Sequence, residues 1–252
     1  MRENASSLQK MSYLVKCYDW GECSWVRRMK DGINIFDVTM QGFTAKEAMK
    51  QAIGYLETDS LNTIEIVTMD MLMREQENPA WKEQIQGLDM VLPGEREILE
   101  AAGIQDRTLI RDTEGRVFLK MFLKYLQKNR KKVFLLADSE EEAENLESAI
   151  HRYHRGIFVT GCIALTADSG QEERIINEIN GTETECLLSA LTSPWQEEFI
   201  AKQKALLGAK LWLGCGTALG QNYHEKRMGG KLKRFFMKRM FRYRVERQKK
   251  EN

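Results

Sequence analysis

Short apolar runs alternate with amphipathic stretches along most of this chain. Ile33 to Val38, Thr63 to Thr68, Met90 to Pro93, Lys132 to Ala137, Ile157 to Gly161, Cys186 to Leu191 and Ala209 to Gly214 have the length and flanking residues of strands. Between them lie helical patterns. Ala48, Met49, Ala52, Ile53 and Leu56 fall on one face of a helix opened by the capping box Thr44-Ala45-Lys46-Glu47. A short helix is predicted from Met71, another from Pro79 and Trp81, and a longer one past Arg111 to about Gln127. Ser139-Glu140-Glu141-Glu142 and Ser169-Gly170-Gln171-Glu172 are two further boxes, heading helices to about His154 and Ile179. After Leu191, Ser193 suits a cap, Pro194 a first turn and Gln196 the reciprocal capping position. Strands alternating with helices at this spacing predict an α/β sandwich of Rossmann-like type with a mostly parallel sheet. In such sheets ligands bind beyond the carboxyl ends of the strands, which is where Gln196 and Glu197 fall.

The 252 residues suffice for one large domain, and 42% hydrophobic content supports a core. Charge changes the picture more than length does. Net charge is only +1, but Lys226 to Lys250 holds twelve Lys or Arg and one acid, Glu246. That segment is +11 and the remainder −10. The expected organisation is an N-terminal extension over 1–30, an α/β domain over 31–220 and a basic helical C-terminal appendage over 221–252. An acidic body with a basic tail points to an anionic surface. Aromatic and apolar residues recur through the tail at helical spacing (Leu232, Phe235, Phe236, Met240, Tyr243) among dense Lys and Arg. This suits the interface of an anionic membrane. A nucleic acid is the weaker partner, because the body is acidic and carries no recognition motif.

The five cysteines suggest neither a disulfide framework nor a zinc site, and His151, His154 and His224 make no metal set. No signal-peptide core and no run of 18 apolar residues is present. A reducing cytoplasm is the expected compartment. Gly214-Cys215-Gly216-Thr217-Ala218-Leu219-Gly220 follows a strand, so Gly214 and Gly216 suit either a phosphate loop or a tight strand-to-helix turn. Its spacing is not the dinucleotide fingerprint, and no acid follows about twenty residues on, which argues against a dehydrogenase.

Several blocks together resemble a known family. Ile66-Val67-Thr68-Met69-Asp70, Leu88-Asp89-Met90-Val91-Leu92-Pro93, Lys132-Val133-Phe134-Leu135-Leu136, and Ser193-Pro194-Trp195-Gln196-Glu197 with Gly214-Cys215-Gly216 occur in the order and spacing of the WecG/TagA/CpsF glycosyltransferases. The resemblance runs from about Ile33 to the C-terminus. It implies a bacterial enzyme, independent of metal and cofactor, that moves N-acetylmannosamine or a related uronic acid from a UDP-sugar to a polyprenyl-diphosphate-linked acceptor. The product would feed teichoic acid or other cell-surface polysaccharide. It also implies a peripheral protein on the cytoplasmic face of the plasma membrane that tends to form homo-oligomers.

Carried over residue by residue, the resemblance keeps some of the site and loses the rest. Thr68 and Gln196 match pocket residues. Asp70 stands where the family has Asn. Arg111 matches a substrate-binding Arg, but the Gly and Asp that follow it are Glu114 and Arg116. The family's general base, the Asp after the Leu-Pro pair, is Gly94, which leaves Asp70, Glu95 or Glu97 as candidate carboxylates, Glu95 first among them. The family's later Asp falls on Gly220. Arg234, Arg239 and Arg242 of the tail are the candidate acceptor or membrane contacts. The alternative is an inactive homologue that binds a nucleotide sugar or scaffolds an assembly.

Overall fold

The computed structural model describes residues 32–166, 170–216, 219 and 230–251. Its centre is a six-stranded sheet of β3 (Asn62–Val67), β4 (Met90–Pro93), β5 (Lys132–Ala137), β6 (Phe158–Ala164), β7 (Cys186–Ser189) and β8 (Leu211–Gly214). The strand order is β4-β3-β8-β7-β5-β6, and every neighbouring pair is parallel. Helices cover both faces, which is why these strands read as unbroken apolar runs rather than as an alternation. Ten helices surround the sheet among the described residues: α1 (Ala45–Leu56), α2 (Met69–Glu75), α3 (Pro79–Gln86), α4 (Arg96–Ala101), α5 (Arg107–Glu114), α6 (Val117–Lys128), α7 (Glu140–Tyr153), α8 (Glu172–Gly181), α9 (Trp195–Gln203) and α10 (Gly230–Glu251).

One face of the sheet packs Ile64, Ile66, Leu92, Leu135, Leu188 and Leu213 against α1, α6 and α7. The other packs Val67 and Val91 against α2, α3 and α4, and Phe134, Leu187 and Trp212 against α8 and α9. Glu65 alternates with Ile64 and Ile66, so its carboxyl enters this second face and is fully buried.

The expected Rossmann-like sandwich is present, with local departures. Ile33 to Val38 is not one strand but a hairpin, β1 (Ile33–Ile35) and β2 (Val38–Met40). Its two turn residues, Phe36 and Asp37, both take positive φ, 52° and 65°, as a two-residue hairpin loop requires. Tertiary contacts hold this turn. Lys82 Nζ lies 3.0 Å from Asp37 Oδ2, and Gln86 Nε2 donates to the Asp37 carbonyl at 2.7 Å. Second, the helix past Arg111 is broken. Gly115 closes α5, and Arg116, left-handed at φ 48°, turns the chain into α6. Third, Ser193 does not cap α9. Pro194 holds the N-cap position, and Ser193 Oγ donates instead to Glu197 Oε1 at 2.6 Å. The Thr44 box is formed with both reciprocal bonds. The box expected at Ser169 lies outside the described residues.

The basic appendage is the long helix α10, and it docks on the body. Its inward residues are Phe241 and Val245, both buried, in the core with α2, α4 and the hairpin. The Phe36 and Phe241 rings meet edge-on at 6.0 Å, and the Phe36 N–H donates to Gln248 Oε1 at 3.2 Å. Lys238 pairs with Glu97, Arg242 with Glu100, and Lys249 Nζ donates to the Ala101 carbonyl at 2.7 Å. The stripe expected from spacing turns the other way: Phe235, Phe236, Met240 and Tyr243 are 48–66% exposed. The side chains of Leu232 and Arg234 lie outside the described residues.

Candidate active site

The parallel pairing of β3 and β4 sets Ile66 beside Leu92 and Val67 beside Pro93. The Gly94 N–H then donates to the Val67 carbonyl at 2.7 Å, so the two chains stay together past the end of β4. Above this carboxyl end, on the α1 and α6 face, lies a cleft of ≈ 510 Å³ counted out to solvent. Ile66, Leu92, Phe43 and Phe118 supply apolar wall, Pro93 and Gly94 one rim, and Asp112, Thr113 and Arg116 the polar side. An apolar pocket with a few convergent polar groups is the usual form of a small-molecule site.

Of the residues singled out from sequence, Gly94 adjoins this cleft directly and the candidate bases do not line it. Thr68 caps α2, its hydroxyl accepting the Met71 N–H at 3.3 Å. Asp70 is exposed on the first turn of α2, with Arg74 Nη2 at 3.3 Å from its carboxylate. Glu95 accepts the Met69 N–H at 2.8 Å, so its carboxylate sits at the amino end of the same helix. Arg111 is 76% exposed and, among the described residues, pairs with its neighbour Asp112 at 3.6 Å. The charged lining comes instead from Asp112 and Arg116. Sequence reasoning passed over Asp112; its one signal is its place on the polar turn beside Arg111.

Gln196 lies on the other face of the sheet, fully buried. Its Nε2 donates to Glu65 Oε1 at 2.7 Å. The fit is tight at Gly214, which pairs in register with Glu65: a Cβ there would stand 1.9 Å from Glu65 Oε2. Gly214 is thus glycine to admit a carboxyl, whatever else the loop beyond it does. Gly216, at φ 47°, turns the chain after Cys215. Burial pushes Glu65 well above the ordinary carboxyl range, Glu197 beside it adds to the rise, and the Ile66 N–H opposes it. Glu197 is also raised, first by burial, with Glu75 contributing and Ser193 opposing. The Trp81 indole favours the charged form of Glu197, yet its N–H makes no bond of normal geometry. Among the described residues Glu65 Oε2, Gln196 Oε1 and Glu197 Oε2 have no hydrogen-bond partner either. This polar knot ties the start of α9 to β3 and β8.

The profile of the glycosyl transferase WecG/TagA/CpsF family matches residues 33–222. This chain belongs to that family. No curated protein matches it in sequence. The match spans the sheet, the cleft and the polar knot. It makes the chain a transferase by family, with a sugar donor and an acceptor as the general substrates. At the position where the WecG/TagA/CpsF resemblance calls for a catalytic Asp, a Cβ on Gly94 would meet the Val67 carbonyl oxygen at 2.8 Å and Ile66 Cγ2 at 2.9 Å. The local backbone is therefore fitted to glycine. Among the described residues no helix is long and apolar enough to cross a membrane, and no group of His, Cys, Asp and Glu is placed to hold a metal ion.

Proposed function

We propose that this protein transfers a sugar, N-acetylmannosamine or a related uronic acid, from a UDP-sugar to a polyprenyl-diphosphate-linked acceptor. The observation that carries this is the cleft at the joined ends of β3 and β4, lined by Gly94 and Arg116. Gly94 stands where the family resemblance places its general base, and Arg116 where the resemblance has an Asp. Arg116 puts a fixed cation on the wall, suited to the diphosphate of a departing UDP. Thr68, Asp70 and Glu95 cluster at the amino end of α2, the turn that follows β3, and Arg111 supplies an exposed cation beside Asp112. The exposed aromatics of α10, with Arg239 and neighbouring cations, would rest on the anionic inner face of the plasma membrane, where such an acceptor resides. Association with further copies of the chain belongs to the same proposal.

A second reading has its own observation. Gly94 is packed too closely for a side chain, so the site has lost the family's base rather than displaced it slightly. A homologue that binds a nucleotide sugar and assembles partners without turnover would have this geometry. The two readings separate on incubation of the full chain with a panel of UDP-sugars and a polyprenyl-diphosphate-linked acceptor. The transferase reading expects UDP release dependent on the acceptor. Measurable UDP binding with no release above a buffer blank would replace it with the second reading.

A further inference from the structure

We infer that Asp112 is the carboxylate that takes the acceptor's proton in this cleft, in place of the one Gly94 lacks. The inference rests on the transferase reading above. Among the described residues that line the cleft, Asp112 is the one carboxylate. It is presented by α5 just before the break at Gly115, and only 14% of its side chain is exposed. Its Oδ2 accepts the Ala45 N–H at 3.1 Å, at the first turn of α1, and this bond fixes the carboxyl plane. Its Oδ1 meets Arg111 at 3.6 Å, longer than a hydrogen bond, through an arm that is mostly in solvent. One oxygen is thus anchored and the other loosely attended. The alternatives are committed elsewhere: Glu95 to the Met69 N–H and Asp70 to Arg74.

The step balances without any further reactant. The acceptor hydroxyl gives its proton to Asp112 Oδ1 as its oxygen bonds to the anomeric carbon of the donor sugar. The bond from that carbon to the β-phosphate oxygen breaks, and its electron pair leaves with UDP, whose new charge faces Arg116. Proton removal by a positioned base is worth about 10²–10⁴-fold.

Capping α1 is the competing role for Asp112, and one substitution separates the two. In Asp112→Asn the amide oxygen still accepts the Ala45 N–H, so the cap stays and the base is gone. In the full-length protein, with UDP-N-acetylmannosamine and a polyprenyl-diphosphate-linked acceptor, kcat is expected to fall about 10²–10⁴-fold. UDP affinity and the thermal midpoint should stay at wild-type values. Asp112→Ala should lose both turnover and stability. Turnover in Asp112→Asn within tenfold of wild type overturns the assignment of Asp112 alone. Absence of UDP release from the wild type with every sugar of the UDP-sugar panel overturns the transferase reading and takes this inference with it.

Discussion

Glu65 and Gln196, 131 positions apart in sequence, share one hydrogen bond of 2.7 Å in the buried interior between β3 and α9. The carboxamide is the donor, and the remaining oxygen of each group has no partner among the described residues. A carboxylate there would be a buried charge facing a second buried carboxyl, Glu197. The neutral acid removes that charge and turns one of the unpartnered carboxyl oxygens into a donor. The upward displacement of Glu65 by burial and by Glu197 therefore has a structural counterpart.

Glu65 should make the fold less stable as pH rises. Its folded value lies above the ordinary 4.5, so above that pH unfolding releases a proton. The stability it contributes is complete below about pH 4 and is lost as pH climbs toward the folded value, at a slope of up to about 1.4 kcal/mol per pH unit. Glu65→Gln keeps the shape and an amide donor but cannot ionise. Urea unfolding should find the variant close to wild type near about pH 4 and more stable than wild type at pH 7 and above. Glu197 leaves a residual slope of the same sign, since it too is raised. A variant less stable than wild type by a constant margin at every pH would show that Glu65 is held as a carboxylate.

Gly214 should be intolerant of even one carbon. A methyl group at this position falls 1.9 Å from Glu65 Oε2, so Gly214→Ala must push the carboxyl off Gln196 or move β8. Overpacking of this kind costs about 1–3 kcal/mol. If Glu65 is the cause, the loss should shrink when Glu65→Ala is made in the same chain, and denaturation of the four members of the cycle measures that coupling. Additive effects of the two changes would mean the strain falls elsewhere.

The strands, their order along the chain and the helices between them were legible because parallel strands buried on both faces announce themselves as apolar runs. Two kinds of feature were not. Breaks such as Phe36-Asp37 and Gly115-Arg116 put non-glycine residues, Phe36, Asp37 and Arg116, at a positive φ that such residues rarely adopt. The inward face of α10 was not legible for a related reason. Arg and Lys surround Phe241 and Val245 in sequence, and only the presence of Glu97 and Glu100 on α4 makes that face the favourable one to dock. Gln196 was found from its motif, but its partner Glu65 sits inside a strand of otherwise apolar appearance, where only the register with Gly214 explains it. Asp112 went unnoticed because its relation to Ala45 is set by the turn between α5 and α6, which the sequence read as continuous helix.

Placing the family's carboxylate at position 94 should not raise turnover. A Cβ on Gly94 meets backbone, the Val67 carbonyl oxygen at 2.8 Å, and that atom cannot swing aside as a flexible side chain can. The Gly94 N–H bond to the same carbonyl holds the contact in place. Gly94→Asp is expected to destabilise the fold by about 1–3 kcal/mol, with no gain in UDP release. Thermal unfolding alongside the UDP assay checks both. A stable variant with faster turnover would show that the loop re-forms around a side chain and that Gly94 alone silenced the base.

The two faces of α10 should separate in experiment, one holding the helix to the body and the other meeting lipid. Phe241 is fully buried against Phe36, so Phe241→Ala removes a core contact of the kind worth about 3–5 kcal/mol, and amide exchange in α10 should rise sharply. Phe235 and Phe236 are more than half exposed, and their replacement by Ser takes nothing from that core. Partial burial of two such rings in an interface is worth about 1.5–3 kcal/mol, roughly tenfold or more in affinity. Co-sedimentation with vesicles rich in phosphatidylglycerol should therefore weaken by that factor in Phe235→Ser/Phe236→Ser, while the thermal midpoint stays put. Neutral phosphatidylcholine vesicles should bind both proteins poorly, because the cations beside the rings draw the helix to anionic headgroups. Equal binding of wild type and double variant to anionic vesicles would mean that charge alone brings the helix to lipid and that the exposed rings serve another contact.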